Sequence, residues 1–393
     1  MYDRIGPYSA IEEEMRHILA ASSTCGVFFI LGCTGILGTE DPLPTPPDPP
    51  PITEVPTPEP TPEPTPEPPA AAPDWLEGNA QAIQLWNSCE SGQAGDCNDL
   101  GVMFGTGDVV TQDLNRAFQL YTQGCDGGEM MSCKNLGIYY ANGRGVAEDY
   151  AKAAELYQKA CDADIAEGCN NLAVLYERGD GVAQDMKKAV SLYEKGCSGG
   201  EMLSCGSLGI LYRYGQGVPQ DDARASQLYE QACNGGNMYG CGNLGFMYAN
   251  GKGVTQDDAQ AIQLYEQACN ADISRSCNNL GFMFSNGRGT AKNPERAATL
   301  FEKACEGDDY MGCVNLGIVS RDGDGVPKDE ARASVLFKKA CDGGMELGCE
   351  ELEALRSGQN TDATKVTSND DSPAHLFERG KAKAKFFPRR KAR

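Results

Sequence analysis

The chain has 393 residues, 40% of them hydrophobic, with 47 glycines, 22 prolines and a formal net charge of −22. That length fits two or three ordinary domains or one long solenoid, and the apolar content suffices for a core. So acidic a surface repels nucleic acid and anionic lipid, which argues against the bulk of the chain as a DNA- or RNA-binding module.

The first recognisable element is an apolar run from Ile18 to Gly32, too short for a comfortable transmembrane helix and of the right length for the core of a secretory signal. Arg16 and His17 precede it as the basic flank, whereas Glu12, Glu13 and Glu14 fit poorly, so we read Met15 as the start. The run ends Ile30-Leu31-Gly32-Cys33, which resembles the bacterial lipoprotein cleavage box. The resemblance implies a signal region over residues 1–33, with Cys33 as the lipidated residue and the chain lipid-anchored to a membrane. Leu31 stands where a small residue is more usual, and an ordinary signal peptide cut nearby is the alternative.

Residues 34–74 are read as a Pro-rich stalk. From Pro42 to Pro73 the sequence is mostly Pro, Thr and Glu, with too little apolar surface to fold. As polyproline II it makes a semi-rigid spacer of roughly 100 Å.

Residues 75–356 carry an internal repeat. One unit runs from Cys133 to Cys161, and seven such units begin at Cys97, Cys133, Cys169, Cys205, Cys241, Cys277 and Cys313. Half-units at Asn79–Cys89 and Leu347–Leu355 flank them as caps. Within a unit, Cys133, Leu136, Gly137 and Tyr140 follow the three–four spacing of a helix that stops at Gly143-x-Gly145. The first unit keeps only the leading glycine, reading Gly107-Asp108-Val109. Asp149 and its equivalents Asp113, Asp185, Asp221, Asp257 and Asp329, with Asn293 once, stand where the N-cap of a second helix belongs. That helix shows Ala153, Leu156, Tyr157 and Ala160, and the small residues at Gly137 and Ala153 allow close approach of the two axes.

Sixteen of the 18 cysteines fall in pairs eight positions apart, recurring every 36 residues: Cys89/Cys97, Cys125/Cys133, Cys161/Cys169, Cys197/Cys205, Cys233/Cys241, Cys269/Cys277, Cys305/Cys313 and Cys341/Cys349. The unit resembles the Sel-one-like repeat, related to the tetratricopeptide repeat. The paired cysteines resemble the Helicobacter cysteine-rich proteins, a disulfide-containing subset. These resemblances imply an all-α fold: a right-handed α/α superhelical solenoid of helical hairpins, about 36 residues per repeat. They also imply that each cysteine pair is a disulfide tying one hairpin to the next. Metal ligation is the rival, but no C-x-x-C occurs, and thiolates do not stay reduced outside the cytosol. No metal or cofactor is therefore assigned.

The repeat region has no histidine, which removes Ser-His, Cys-His and His-metal chemistry from it. Ser198 sits in a G-x-S-x-G string, but at a helix-to-helix turn and without a base. Relatives among the cysteine-rich proteins are described as penicillin binders or β-lactamases, so the resemblance implies β-lactamase activity as the leading enzyme alternative; no S-x-x-K motif is present to carry it. No catalytic residue is assigned. The acidic pairs Asp221/Asp222, Asp257/Asp258 and Asp308/Asp309 are read mostly as helix-start residues rather than as calcium ligands or acid–base partners.

In related solenoids the first helices line a concave face. Positions five before and two after the repeat leucine lean toward it, and the residues selected there are Met131, Leu203, Tyr239, Phe246, Arg275, Phe282 and Met311. Aromatics with an arginine are what interface hot spots favour, although the second set of positions can equally be buried between helices. The sequence thus points to a non-enzymatic scaffold at the bacterial cell envelope, exported and facing the periplasm, outer membrane or surface, with an unidentified protein or peptide partner. A secreted effector is a further alternative.

Residues 357–393 form a polar tail with eight basic residues from Arg379 to Arg393. It is either a solvated extension or, helped by Phe386 and Phe387, a contact with an anionic surface.

Overall fold

The computed structural model describes residues 73–76 and 78–358. The expected signal region, Cys33, almost all of the stalk and the basic tail lie outside these residues. The described chain is all-α, one 3₁₀ turn (Asp74–Leu76) followed by sixteen α-helices.

The first helices of the hairpins are α2 (Ala94–Thr106), α4 (Met130–Asn142), α6 (Ala166–Arg178), α8 (Met202–Tyr214), α10 (Met238–Asn250), α12 (Ser274–Asn286) and α14 (Tyr310–Asp322). The second helices are α3 (Leu114–Asp126), α5 (Tyr150–Asp162), α7 (Met186–Ser198), α9 (Asp222–Asn234), α11 (Asp258–Asn270), α13 (Pro294–Glu306) and α15 (Glu330–Asp342). Helices α1 (Ala80–Glu90) and α16 (Glu346–Ser357) close the two ends. Each helix packs on its neighbours in chain order, and consecutive first helices also touch, the arrangement of a solenoid.

Capping sets the boundaries. Asp149 accepts a hydrogen bond from Lys152 N and starts α5; Asp185, Asp221, Asp257 and Asp329 start their helices in the same way. Asn293 caps α13 immediately before Pro294, which loses nothing at a first helical position. The first helices end on left-handed glycines, as at Gly143 with φ of 62°. The connecting loop then folds back, with Asp149 N donating to Tyr140 O at 3.0 Å.

Within a hairpin the closest approach is at Gly137, where a Cβ would lie 2.6 Å from Cε1 of the buried Tyr157. The third hairpin places Ala173 there, fully buried in the same core cluster as Tyr193, so the position accepts one methyl in that hairpin. Between hairpins the contact is made by the second glycine of Gly-x-Gly. A Cβ on Gly145, whose φ is +67°, would lie 2.6 Å from the carbonyl oxygen of Leu114 in the previous hairpin. The first unit escapes this constraint. Its Val109 stays 54% exposed, and the Val109 carbonyl accepts a hydrogen bond at 3.2 Å from Nδ2 of Asn79, the N-cap of α1.

All eight cysteine pairs are disulfides across the three-residue turns that lead from each second helix into the next first helix, with Cα–Cα separations from 4.5 Å to 4.8 Å. The eight junctions share one spacing and one disulfide each, and Cys349 differs from its equivalents in burial. Cys349 is bonded to Cys341 with a Cα–Cα separation of 4.6 Å, as the pattern requires. It is only half-buried, however, whereas Cys97, Cys133, Cys169, Cys205, Cys241, Cys277 and Cys313, which hold the same place in the earlier junctions, are fully buried. The difference follows from its position on α16, the last described helix, over which no further described hairpin packs.

Among the acidic pairs, Asp258 is the first residue of α11 and also holds Arg288 of the next hairpin, at 2.8 Å and 3.0 Å. The assignment to helix starts needs one correction, at Asp308, which occupies a left-handed turn position. The second aspartate of that pair, Asp309, does cap α14.

Candidate binding groove

The first helices carry the candidate site. Met131, Leu203, Tyr239, Arg275 and Met311 are each the second residue of a first helix. A residue seven positions on lies two turns along the same face, which puts Phe246 on the face of Tyr239 and Phe282 on that of Arg275.

Caps position the outer set. Glu201 accepts from Leu203 N at 3.0 Å and opens α8. Asn237 accepts from Tyr239 N at 3.0 Å and from Gly240 N at 3.2 Å. Its amide also donates to the Met202 carbonyl at 3.0 Å, so the start of α10 is tied directly to the start of α8. Leu203 and Tyr239 are thereby held half out of the protein, 50% and 57% exposed. Together with Met202, Met238 and Ile273 they line an open depression of about 350 Å³.

The inner set lies deeper. Phe246 and Phe282 are half-buried and pack on one core cluster, whereas Ile318, at the matching place in α14, is buried. Met131, Arg275 and Met311 are also half-buried. The structure therefore joins Leu203 with Tyr239 in one depression and Phe246 with Phe282 on one cluster.

Beneath this face runs a polar ladder between consecutive first helices. Asn135 donates to Asn98 Oδ1 at 2.9 Å, Ser204 to Asn170 Oδ1 at 3.1 Å, and Asn315 to Asn278 Oδ1 at 2.7 Å. Sequence reasoning also missed Arg213, whose guanidinium carbon lies 4.1 Å from the centroid of Phe246, a cation–π contact across hairpins. Arg321, three repeats further on, instead reaches the buried Glu351 at 2.6 Å. Hydrogen bonding to Asp322 first, then the nearby carboxylates, hold the Arg321 pKa above its ordinary value. At Arg275 the balance is reversed: burial, the dominant influence, lowers its pKa, and Asp309 opposes that shift.

Among the described residues no group of three His, Cys, Asp or Glu side chains converges as a metal site, and no helix is long and apolar enough to cross a membrane. Eight disulfides call for an oxidising compartment.

Comparison with solved structures finds a protective antigen present in uropathogenic Escherichia coli strains, 28% identical, with a TM-score of 0.63 over 73% of this chain. The match spans 61% of the antigen's length. A Sel1 repeat protein from Oxalobacter formigenes is 24% identical over 70% of this chain and 79% of its own, with a TM-score of 0.57. Helicobacter pylori cysteine rich protein B is 30% identical over 33% of this chain and 93% of its own, with a TM-score of 0.28. No curated protein matches by sequence. The Sel1 repeat matches seven times in succession, at residues 96–129, 131–165, 166–201, 204–237, 239–273, 274–309 and 311–345. With most of its length in that array and one disulfide at each hairpin junction, the chain belongs to the Sel1 repeat family.

Proposed function

We propose that this chain is a non-enzymatic, protein-binding scaffold of the bacterial cell envelope that receives a protein or peptide partner on the face formed by its first helices. One observation carries the reading. Leu203 and Tyr239 stand about half exposed side by side on that face, while most large apolar side chains of the array are buried. An aromatic and an aliphatic side chain held out by helix caps form a preorganised surface, which lowers the ordering cost of binding. On this reading Cys33 carries the lipid, and the Pro-rich segment stands the array away from the membrane.

The test is site-specific photo-crosslinking in the full chain expressed in a bacterial host, with p-benzoylphenylalanine at position 239 or, as control, at position 335, where Val335 is 70% exposed on a second helix. Position 239 is expected to capture a discrete species that position 335 does not. Equal capture at both positions, or none at 239, defeats the proposal.

A further inference from the structure

The junction disulfides differ in access. At six of the eight, both cysteines are buried. At Cys233–Cys241 one partner is half-buried, while Cys241 is fully buried. At Cys341–Cys349 both are half-buried, so among the eight bonds only this one joins two residues that each meet solvent.

A place at the end of the array does not by itself produce this. Cys89–Cys97 closes the first junction, yet both residues are buried, in one cluster with Leu76 and Phe104. Trp75 packs on Phe104 with ring centroids 5.2 Å apart, and Arg116 stacks on Trp75 at 4.2 Å. The 3₁₀ turn thus seals the first junction, and among the described elements none does the same for the last.

The bond at the last junction anchors α16, which packs on α14 and α15. A helix of 12 residues is marginal in water without such packing. Its Leu352 sits in one cluster with Val314, Ile318, Phe337 and Ala340, and its Glu351 holds Arg321 at 2.6 Å. Leu347 and Leu355, on the same helix, stay half-buried.

We propose that Cys341–Cys349 is a site of thiol–disulfide exchange, and that its reduction by a dithiol releases α16 and uncovers the apolar side of α14 and α15. The thiolate of the dithiol attacks one sulfur of the pair, the S–S bond breaks, and the other cysteine leaves as a thiolate. The second thiol of the dithiol then displaces the cysteine still bound to it. Two electrons pass to the protein, the dithiol ends as a disulfide, and its two protons end on Cys341 and Cys349. Burial denies an attacking thiolate access to the six closed junctions, so they persist while this one exchanges. Once the covalent tie is gone, only packing and the Arg321–Glu351 pair oppose the opening of α16. Ile318 and Phe337, buried in the oxidised array, then face solvent at the end of the solenoid.

The experiment treats the oxidised full chain with dithiothreitol over a time course. Free thiols are trapped by alkylation and located by peptide mapping, and hydrogen exchange is read on the same samples. Cys341 and Cys349 are expected to be labelled at least about 10-fold faster than the six buried pairs, with Cys233–Cys241 between them. Residues 346–357 are expected to lose protection by about 10-fold or more at that stage, while α2 to α13 keep theirs. The double variant Cys341→Ala, Cys349→Ala is expected to show the same open α16 without reductant. Mild reduction of the parent makes the same test independently of whether that variant folds. Labelling of Cys341–Cys349 no faster than the buried pairs overturns the exchange site. Labelling of Cys89–Cys97 at the same rate overturns it too, since position at an end, rather than access, would then govern. Full protection of residues 346–357 after selective reduction overturns the release of α16.

Discussion

Lys303 Nζ lies 2.9 Å from Asp272 Oδ1 and donates to the carbonyl of Cys269 at 2.8 Å, so one ammonium closes the turn that precedes α12. Asp272 has φ of 62°, in the left-handed region. The same pairing recurs at Asp308 with Lys339 and at Asp164 with Lys195, while glycine takes the turn position elsewhere, as at Gly128 and Gly200. Aspartate tolerates that conformation better than most residues, and the lysine one hairpin later compensates in part.

Asp272→Ala is therefore expected to lower stability by about 1 kcal/mol, through left-handed strain plus a small loss from an exposed ion pair. Asp272→Gly relieves the strain and is expected to fall within about 0.5 kcal/mol of the parent. Urea denaturation of both variants checks this, and equal destabilisation by the two would refute the strain account.

The two glycines of Gly-x-Gly do different jobs, and substitution separates them. At Gly143 the nearest atoms to an added Cβ lie 3.6 Å away, so Gly143→Ala carries only the left-handed penalty, about 1 kcal/mol. At Gly145 the Cβ meets the Leu114 carbonyl at 2.6 Å, so Gly145→Ala also forces adjacent hairpins apart. We expect a loss of about 2–3 kcal/mol there. A matching loss at both sites would show that the hairpin contact is not tight.

Much of this architecture was legible because each constraint is written seven or eight times in one register. Asp149 and its equivalents marked the caps, Gly143 and its equivalents the helix ends, and the cysteine spacing the junctions. The reason for Val109 was not legible, because its hydrogen-bond partner Asn79 belongs to the half-unit that precedes the first full repeat. The partial exposure of Cys349 was hidden for a similar reason, since its spacing from Cys341 is that of every other pair and only its place at the end of the array sets it apart. The binding face was read only in outline. Periodicity placed Tyr239 and Phe246 on one stripe but not their different depths, which depend on how neighbouring hairpins lean. Arg213 stacks on a ring in the following hairpin, a contact that spacing within one repeat does not encode.

Each disulfide closes a short loop, for which chain entropy gives roughly 2–3 kcal/mol. Replacing Cys197 and Cys205 together by alanine is expected to cost about that much. In a linear array the loss falls on the local hairpins first. Hydrogen exchange is expected to show reduced protection in α7 and α8 before α2 and α14. Uniform loss along the whole array would mean that the hairpins unfold as a single unit.

The buried tyrosines give the array an alkaline limit. Burial raises the pKa of Tyr121, Tyr157 and Tyr265 well above the ordinary phenol value of 10.0, and raises that of Tyr139. In the folded chain these phenols stay neutral above pH 10, whereas in the unfolded chain they ionise near it. The native state then binds more protons, so stability falls as pH rises. The contribution is complete below pH 10 and is lost progressively as the pH climbs from there toward the folded-state values. The Tm, measured without reductant, is expected to be flat from pH 8 to pH 9.5 and to drop above pH 10, with phenolate absorbance from the buried rings appearing only as the fold is lost. Tyr157→Phe keeps the ring against Gly137 but removes the ionisable group, so its alkaline drop is expected to be shallower than the parent's. An identical alkaline profile for the two proteins would assign the limit to some other group.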